Sequence, residues 1–179
     1  MPQYVAFLRA INVGGHTVKM DHLRRLFAAM GFANVETFIA SGNVIFEATA
    51  ASPRDLEQKI GASLQESLGY SVATFIRTTA ELAAIASYQP FPAAELNAEG
   101  HTLYVAFLTD PPREEARQKL LAFTSADDEF HVAGREVYWL CRTRMSESAF
   151  SGALLEKTLN MPATLRNATT IKKIAAKYS

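Results

Sequence analysis

Apolar and polar positions follow one order twice along the chain. The pentapeptide YVAFL occurs at residues 4–8 and again at 104–108, and such a run of strand-forming residues predicts a buried strand. A helical pattern follows each copy, DHLRRLFAAMG in the first case and DPPREEARQKLLAF in the second. Each helix leads to two strand-like runs around a glycine, VETFIASGNVIFE and EFHVAGREVYWLC, which predict hairpins. The repeated order indicates an internal duplication.

Both halves continue with a second helix. Residues 53–68 and 149–159 carry apolar side chains at helical spacing, and Gly69 and Asn160 follow them as stop signals. The first half then adds a strand, SVATFIRTT, which completes the β-α-β-β-α-β order of a ferredoxin-like unit. The second half shows no clear final strand and ends in a helix over 170–178. We therefore predict an α+β fold of two ferredoxin-like (split β-α-β) halves related by internal duplication, plus a C-terminal helix.

The same pattern sets the expected domain boundaries. Residues 1–78 form the first ferredoxin-like unit, and residues 102–179 form the second unit with its C-terminal helix. Between them, residues 79–101 begin with a helical run, TAELAAIASY, and continue into a stretch with two prolines, an asparagine and a glycine. This stretch predicts an irregular linker.

Composition narrows the class of protein. The 179 residues are 49% hydrophobic and 20% charged, which is typical of an ordered globular chain. No leader pattern begins the sequence, and no apolar stretch approaches the ~20 residues that cross a bilayer, so we expect a cytoplasmic protein with no membrane partner. Cys141 is the single cysteine, which excludes an intramolecular disulfide and a thiolate-rich zinc site. The four histidines lack the spacing of a metal site, so no metal is predicted.

Charge is distributed unevenly although the net charge is zero. Residues 1–25 carry four basic residues against one acidic residue, and residues 157–179 carry five basic residues and no acid. Residues 26–156 hold nine basic and seventeen acidic residues. A fold that brings the two ends together would form a positive patch that attracts anions. The lysines of the last helix also have a simpler explanation, because they complement the helix dipole and solvate one face.

A glycine pair marks the first candidate site. The segment RAINVGGH follows the first strand and contains Arg9, Asn12, Gly14 and Gly15. Two adjacent glycines allow backbone N–H groups to converge on an anion. The segment matches neither a phosphate-binding Walker loop nor a dinucleotide fingerprint, and a sharp turn between strand and helix explains the glycines equally well.

The segment before the last helix, TLRNATT, is the second candidate. Asn167, Thr169 or Thr170 is suited to cap that helix, and capping explains at least one of these three residues without a ligand. Capping does not account for Arg166, which lies two residues after Thr164. An arginine beside the free N–H groups of a helix is a recurrent arrangement for phosphate or carboxylate.

Two further features are weaker signals. Ser41, Gly42 and Asn43 lie between two strand-like runs, where a tight turn by itself favours these residue types. Arg77 ends the last strand of the first half, and an ordinary surface ion pair is the alternative interpretation for it.

Taken in order, LRAINVGG, FIASGNVIFE, IRT and TLRNATTIKK resemble the bacterial domain-of-unknown-function family 1697. The resemblance runs from Tyr4 to near the C-terminus and implies a cytoplasmic α+β protein of ferredoxin-like halves with no established activity. The family pattern carries over onto Arg9, Asn12, Val13, Gly14, Gly15, Ser41, Gly42, Asn43, Thr164, Arg166, Asn167 and Thr170. Ala10, Ala40 and Ala168 depart from it, because a glycine, a glutamine and an aromatic residue are expected there. These departures leave the family's ligand and activity open for this chain.

Binding of a small anionic or nucleotide-like ligand is the leading functional hypothesis, with a pocket formed by the Gly-Gly loop, the Ser41-Gly42-Asn43 turn and the Arg166-Asn167 segment. One alternative is a single-stranded nucleic-acid binding module, because aromatic residues on a ferredoxin-like sheet can stack on bases. Zero net charge and the lack of an RNP-type aromatic signature argue against it. The other alternative is a dimerising interaction protein without catalytic activity. No motif indicates a reaction, a cofactor or an oligomeric state.

Overall fold

The computed structural model describes residues 1–9, 18–38 and 42–178. The chain divides into two compact units. Unit 1 comprises Met1–Ala83 together with Tyr178, and unit 2 comprises Ala84–Lys177. The division falls inside the segment 79–101 that the sequence marks as the connection between the halves.

Unit 1 contains a four-stranded sheet with two helices. Its elements are β1 (Gln3–Leu8), α1 (Met20–Ala29), β2 (Ala33–Thr37), β3 (Asn43–Glu47), α2 (Pro53–Leu68) and β4 (Thr74–Thr78). The strands lie in the order β2-β3-β1-β4, and all neighbours are antiparallel. This arrangement is the ferredoxin-like order predicted from the sequence. Helix α3 (Thr79–Ser87) follows β4 directly.

Unit 2 repeats this arrangement. After a short helix, α4 (Ala93–Leu96), its elements are β5 (Thr102–Leu108), α5 (Glu114–Leu121), β6 (Asp128–Ala133), β7 (Glu136–Cys141), α6 (Gly152–Leu159), β8 (Ala163–Asn167) and α7 (Ala168–Tyr178). The strand order is β6-β7-β5-β8, again antiparallel throughout. The strand orders of the two units correspond element by element, which confirms the predicted α+β fold of two ferredoxin-like halves.

The register of the strands shows how closely the halves correspond. Val5 of β1 lies opposite Arg77 of β4, and Val105 of β5 lies opposite Arg166 of β8. The two YVAFL segments therefore occupy the same central strand of their sheets, each facing an arginine on the neighbouring edge strand. An equivalent register is what a duplicated unit requires.

Strand β8 corrects one expectation. The sequence indicated no final strand in the second half, but Ala163–Asn167 pairs with β5 over five residues. The segment ATLRN was missed because it lacks the aliphatic alternation of a half-buried strand. Its face toward the core of unit 2 carries Ala163 and Leu165, whereas Thr164 and Arg166 on the other face are also buried. Tertiary packing, and not intrinsic propensity, makes this segment a strand.

Burial on both faces explains the uninterrupted apolar runs. In β1, Tyr4, Ala6 and Leu8 pack against the helices of unit 1, while Val5 and Phe7 on the opposite face are fully buried as well. The sequence of a strand that is buried on both faces is a continuous run of hydrophobic residues, and not an alternation of hydrophobic and polar residues. The pentapeptide YVAFL is therefore a core strand in each unit.

Local signals define the helix ends. The hydroxyl of Ser52 accepts a hydrogen bond from the backbone N–H of Asp55 at the start of α2, which is an N-cap. Gly69 ends the same helix with φ +82°, a left-handed conformation that glycine adopts without strain. Asn160 ends α6 in the same region, with φ +54°. Both stop signals predicted from the sequence are confirmed.

The described residues contain neither a membrane-spanning helix nor a cluster of metal-ligating side chains. No helix in residues 1–9, 18–38 or 42–178 is long and apolar enough to cross a membrane. Within the same ranges, no group of three or more His, Cys, Asp or Glu side chains is placed to hold a metal ion.

Cys141 gives a direct test of the packing in unit 2. Its thiol is fully buried and donates a hydrogen bond to the backbone oxygen of Thr143 at 3.1 Å. Burial raises the pKa of this thiol, and the thiol form does not react with disulfide reagents. We expect slow modification by a chromogenic disulfide in the native protein and rapid modification in concentrated guanidinium chloride. Equal rates in the two conditions would show that the C-terminal end of β7 opens readily.

Candidate functional site

Unit 2 contains a cavity of about 430 Å³. Its walls come from the end of α3 and the linker that follows, from α4, from the first residues of β5, from β7 and from the first turns of α7. Polar groups dominate the lining, and they include Ser87, Gln89, Asn97, Thr102, Asn167 and Thr169. A concave site of this size with several polar groups is typical of small-molecule binding.

The junction of β8 and α7 builds one wall. The side-chain oxygen of Asn167 accepts a hydrogen bond from the backbone N–H of Thr169 at 2.9 Å, so Asn167 caps the helix as its position in the sequence indicated. The first turn of α7 carries no acidic residue, so no negatively charged side chain in that turn offsets the positive end of the helix dipole. Lys172, one turn further along, also lines the cavity. This wall is electropositive.

Tyr88 also lines the cavity. Its hydroxyl oxygen lies 2.7 Å from Nε2 of His131, within hydrogen-bond distance. Its ring packs against the ring of Tyr138, with the two centroids 5.1 Å apart. Tyr88 and Tyr138 both line the cavity. The linker therefore places an aromatic ring in a defined position beside the polar groups.

His101 is held by the chain around it. Its Nδ1 lies 2.7 Å from the backbone oxygen of Glu95. Because a carbonyl oxygen only accepts, Nδ1 carries the proton and Nε2 of the neutral ring is an acceptor. The Glu95 carboxylate also accepts a hydrogen bond from Nε of Arg142 at 3.2 Å. A hydrogen bond to Glu129 is the largest cause that raises the pKa of Arg142. Arg142 thus holds Glu95, and the backbone oxygen of Glu95 holds the imidazole of His101.

The charges around the cavity favour an anion. Among the described residues that line it, Lys172 carries a positive charge and no side chain is a carboxylate. Lys172 and the start of α7 place positive charge beside a partly enclosed space, where charge interactions are stronger than in bulk water. The carboxylate of Glu95 lies 3.5 Å from Nδ1 of His101 and does not line the cavity. The arrangement suits a phosphate or carboxylate group.

Of the residues singled out in the second half of the sequence, Asn167 lines this cavity and Arg166 does not. The Arg166 side chain is buried, and it donates hydrogen bonds to Oγ1 of Thr164 at 2.8 Å and to the backbone oxygen of Leu165 at 3.0 Å. Burial lowers the pKa of Arg166 to about 10, so the guanidinium stays charged at neutral pH. Thr170 lies half-buried in the first turn of α7.

The described candidates in unit 1 lie at one sheet. The backbone N–H of Leu8, next to Arg9, donates to the backbone oxygen of Gly42 at 2.8 Å. Asn43 is fully buried, and its amide donates to the backbone oxygen of Phe38 at 3.0 Å. Gly42 has φ +77°, the turn conformation that favours glycine. The Leu8 bond joins the end of β1 to the residue before β3, and the Asn43 bond joins the start of β3 to the residue after β2.

Arg77 corrects a second expectation. The alternative interpretation placed it in a surface ion pair, but its side chain is fully buried. One of its guanidinium nitrogens donates to the backbone oxygen of Ile76 at 2.8 Å. The sequence around Arg77 does not indicate that this side chain is buried. Its burial follows from tertiary packing on one face of the sheet, and not from its neighbours Phe75 and Ile76. Asn12, Gly14, Gly15 and Ser41 lie outside the described residues, so their roles stay predictions from the sequence.

Tyr88, His101 and Lys172 are among the cavity residues that sequence reasoning missed. Tyr88 and His101 lie in the segment assigned to a linker, and Lys172 was attributed to solvation of the last helix. The available signal was the long connection at 79–101, because extended loops carry binding residues more often than the elements they join. The position of Lys172 near the beginning of α7, and not in its last turn, was a second signal.

Comparisons with known proteins agree with this fold. The model of a family described as "Protein of unknown function (DUF1697)" matches residues 1–138. A solved structure of a conserved bacterial protein from Streptococcus pneumoniae superposes with a TM-score of 0.74 at 22% sequence identity, covering 98% of this chain and 97% of that chain. No curated protein matched the chain. At this identity the structural match shows a shared fold.

Proposed function

This chain belongs to the family of proteins of unknown function DUF1697, and we propose that it binds a small anionic metabolite in the cavity of unit 2. The observation that carries the proposal is the concentration of positive charge in a polar cavity. Lys172 and the uncompensated start of α7 border the same space. A bound phosphate or carboxylate would interact favourably with both.

The placement of Lys172 supports a binding role over a purely structural one. Lys172 is the fifth residue of α7 and lies beyond the first turn, to which the effect of the helix dipole is largely confined, so the dipole gives no structural reason for a cation at this position. Lys177, in the last turn, does complement the dipole. An anionic ligand in the cavity would give Lys172 a favourable interaction.

The volume of the cavity indicates the size of the ligand. A space of about 430 Å³ lies within the range of roughly 300–1,000 Å³ of small-molecule pockets. It exceeds what an inorganic phosphate fills. The proposed ligand is therefore an organic molecule that carries the anionic group, with Asn167 among its polar contacts.

Replacement of Lys172 tests this proposal. We expect Lys172→Ala to weaken binding of a sugar phosphate such as ribose 5-phosphate by about tenfold or more, because a charge-assisted hydrogen bond contributes roughly 1.5–3 kcal/mol. Isothermal titration calorimetry measures the affinity. Lys173→Ala is the matched control, since Lys173 is equally exposed on the same helix and does not line the cavity.

Two outcomes would contradict the proposal. One is the absence of measurable binding of inorganic phosphate, sugar phosphates, nucleotides and small carboxylates to the wild-type protein. The other is an equal loss of affinity in the Lys172 and Lys173 variants, which would indicate a general effect of net charge and not a local contact.

A further inference from the structure

Tyr88 combines exposure with a fixed position. Its side chain is 41% exposed, which is high for a large aromatic residue that other side chains also hold in place. The hydroxyl is hydrogen-bonded to His131 at 2.7 Å, and the ring contacts Tyr138 at a centroid separation of 5.1 Å and an interplanar angle of 59°. One side of the ring is therefore packed while a large part of it stays open.

An aromatic ring held in this way is prepared for stacking. Its rotamer is already restricted by the contacts with His131 and Tyr138, so a ligand that stacks on it loses little additional side-chain entropy. Stacking accepts any planar ring, because it depends on the π-face and not on particular hydrogen bonds. Phe123 is exposed to the same extent and borders a different groove, beside Lys119 and Lys157.

The groups around Tyr88 suit a heterocycle. Gln89 and Asn97 line the same cavity, and each side-chain amide offers donors and an acceptor to the polar edge of a ring. Lys172 and the start of α7 belong to the same lining. The cavity thus provides an aromatic surface, edge-binding amides and a positive wall within one space.

We infer that the ligand is a mononucleotide or a close analogue, a planar nitrogen heterocycle joined to a phosphate, with its ring on Tyr88 and its phosphate toward Lys172. This inference rests on the proposed anion-binding function and adds that the ligand carries a heterocyclic ring. A cavity of about 430 Å³ accommodates a molecule of that class.

Calorimetric titrations with AMP, GMP, CMP and UMP test the inference against ribose 5-phosphate and adenosine. We expect at least one mononucleotide to bind about tenfold or more tightly than ribose 5-phosphate, in keeping with the effect of one stacked base. Tyr88→Ala should remove that advantage and leave the affinity for ribose 5-phosphate unchanged. Tyr88→Phe keeps the ring and should keep most of the advantage. Phe123→Ala is the control, because it removes an equally exposed ring elsewhere in unit 2.

The outcomes separate this inference from the proposed function. If ribose 5-phosphate binds through Lys172 and no mononucleotide binds more tightly, the inference that a heterocycle stacks on Tyr88 is refuted, whereas the proposed anion site is supported. If neither class binds, both are refuted. If Tyr88→Ala, shown by its thermal melt to be folded, weakens ribose 5-phosphate and mononucleotides equally, the stacking role is wrong. Tighter binding of a short single-stranded oligonucleotide, unaffected by Tyr88→Ala and Lys172→Ala, would overturn the inference in favour of a nucleic-acid surface.

Discussion

Replacing Asp128 with alanine is expected to lower the free energy of unfolding by about 3 kcal/mol, because one buried donor, on Trp139, and one half-buried donor, on Ser148, would lose their acceptor. Asp128 is buried at the start of β6. One carboxylate oxygen accepts a hydrogen bond from Nε1 of Trp139 at 2.8 Å, and the other accepts from the hydroxyl of Ser148 at 2.8 Å. The carboxylate therefore ties the core strand β7 to the segment that leads into α6.

Thermal unfolding followed by circular dichroism measures this effect. A loss of about 3 kcal/mol corresponds to a fall in Tm of about 6–12 °C for a chain of this length. The Tm of Asp128→Asn should lie between those of the wild type and Asp128→Ala, because the amide retains one oxygen acceptor. Asp127→Ala is the control, since the neighbouring carboxylate is exposed. Equal melting temperatures for the Asp127 and Asp128 alanine variants would show that the buried carboxylate contributes nothing to stability.

The fold was largely predictable because the sequence carries the same strong signal twice. Both YVAFL segments are central strands that are buried on two faces, and such strands need unbroken runs of apolar residues. The stop signals at Gly69 and Asn160 were predictable for a local reason, since a left-handed backbone conformation favours these two residue types. Features that depend on neighbouring residues alone were visible in the sequence.

Strand β8 was not predictable because its stability comes from the other strands. Thr164 and Arg166 are buried although they are polar, so their face of the strand lacks the apolar residues by which a strand is identified. Arg77 occupies the equivalent position opposite Val5. Alignment of the two halves would have supplied the missing strand, because IRT at the end of β4 corresponds to LRN at the end of β8.

The candidate site was predictable in part. Asn167 was identified from the capping pattern, and it does line the cavity. Tyr88 carries no local signal, because its significance arises from a ring contact with Tyr138, fifty residues away. A cavity is a property of how distant segments pack, and side chains that border it follow no common spacing along the chain.

Arg166 is the residue for which a structural role and a ligand-binding role make opposite predictions. We expect Arg166→Ala to lower the free energy of unfolding by about 2–4 kcal/mol, because it deletes a large buried side chain and leaves the hydroxyl of Thr164 without its donor. Arg166→Met should cost less than about 1.5 kcal/mol. Methionine fills most of the volume, and it removes a guanidinium whose burial is unfavourable enough to lower its pKa to about 10.

Chemical denaturation measures both variants, with Arg113→Ala as the control for loss of an exposed arginine. If Arg166→Met is as destabilising as Arg166→Ala, the hydrogen bonds of the guanidinium, and not its volume, hold β8 in place. Under native conditions in which circular dichroism shows Arg166→Met to be folded, this variant also decides the ligand question raised by the sequence. A ligand that contacts Arg166 would lose affinity in Arg166→Met as strongly as in Lys172→Ala. A ligand confined to the cavity lining, where Arg166 takes no part, would bind Arg166→Met as tightly as it binds the wild type.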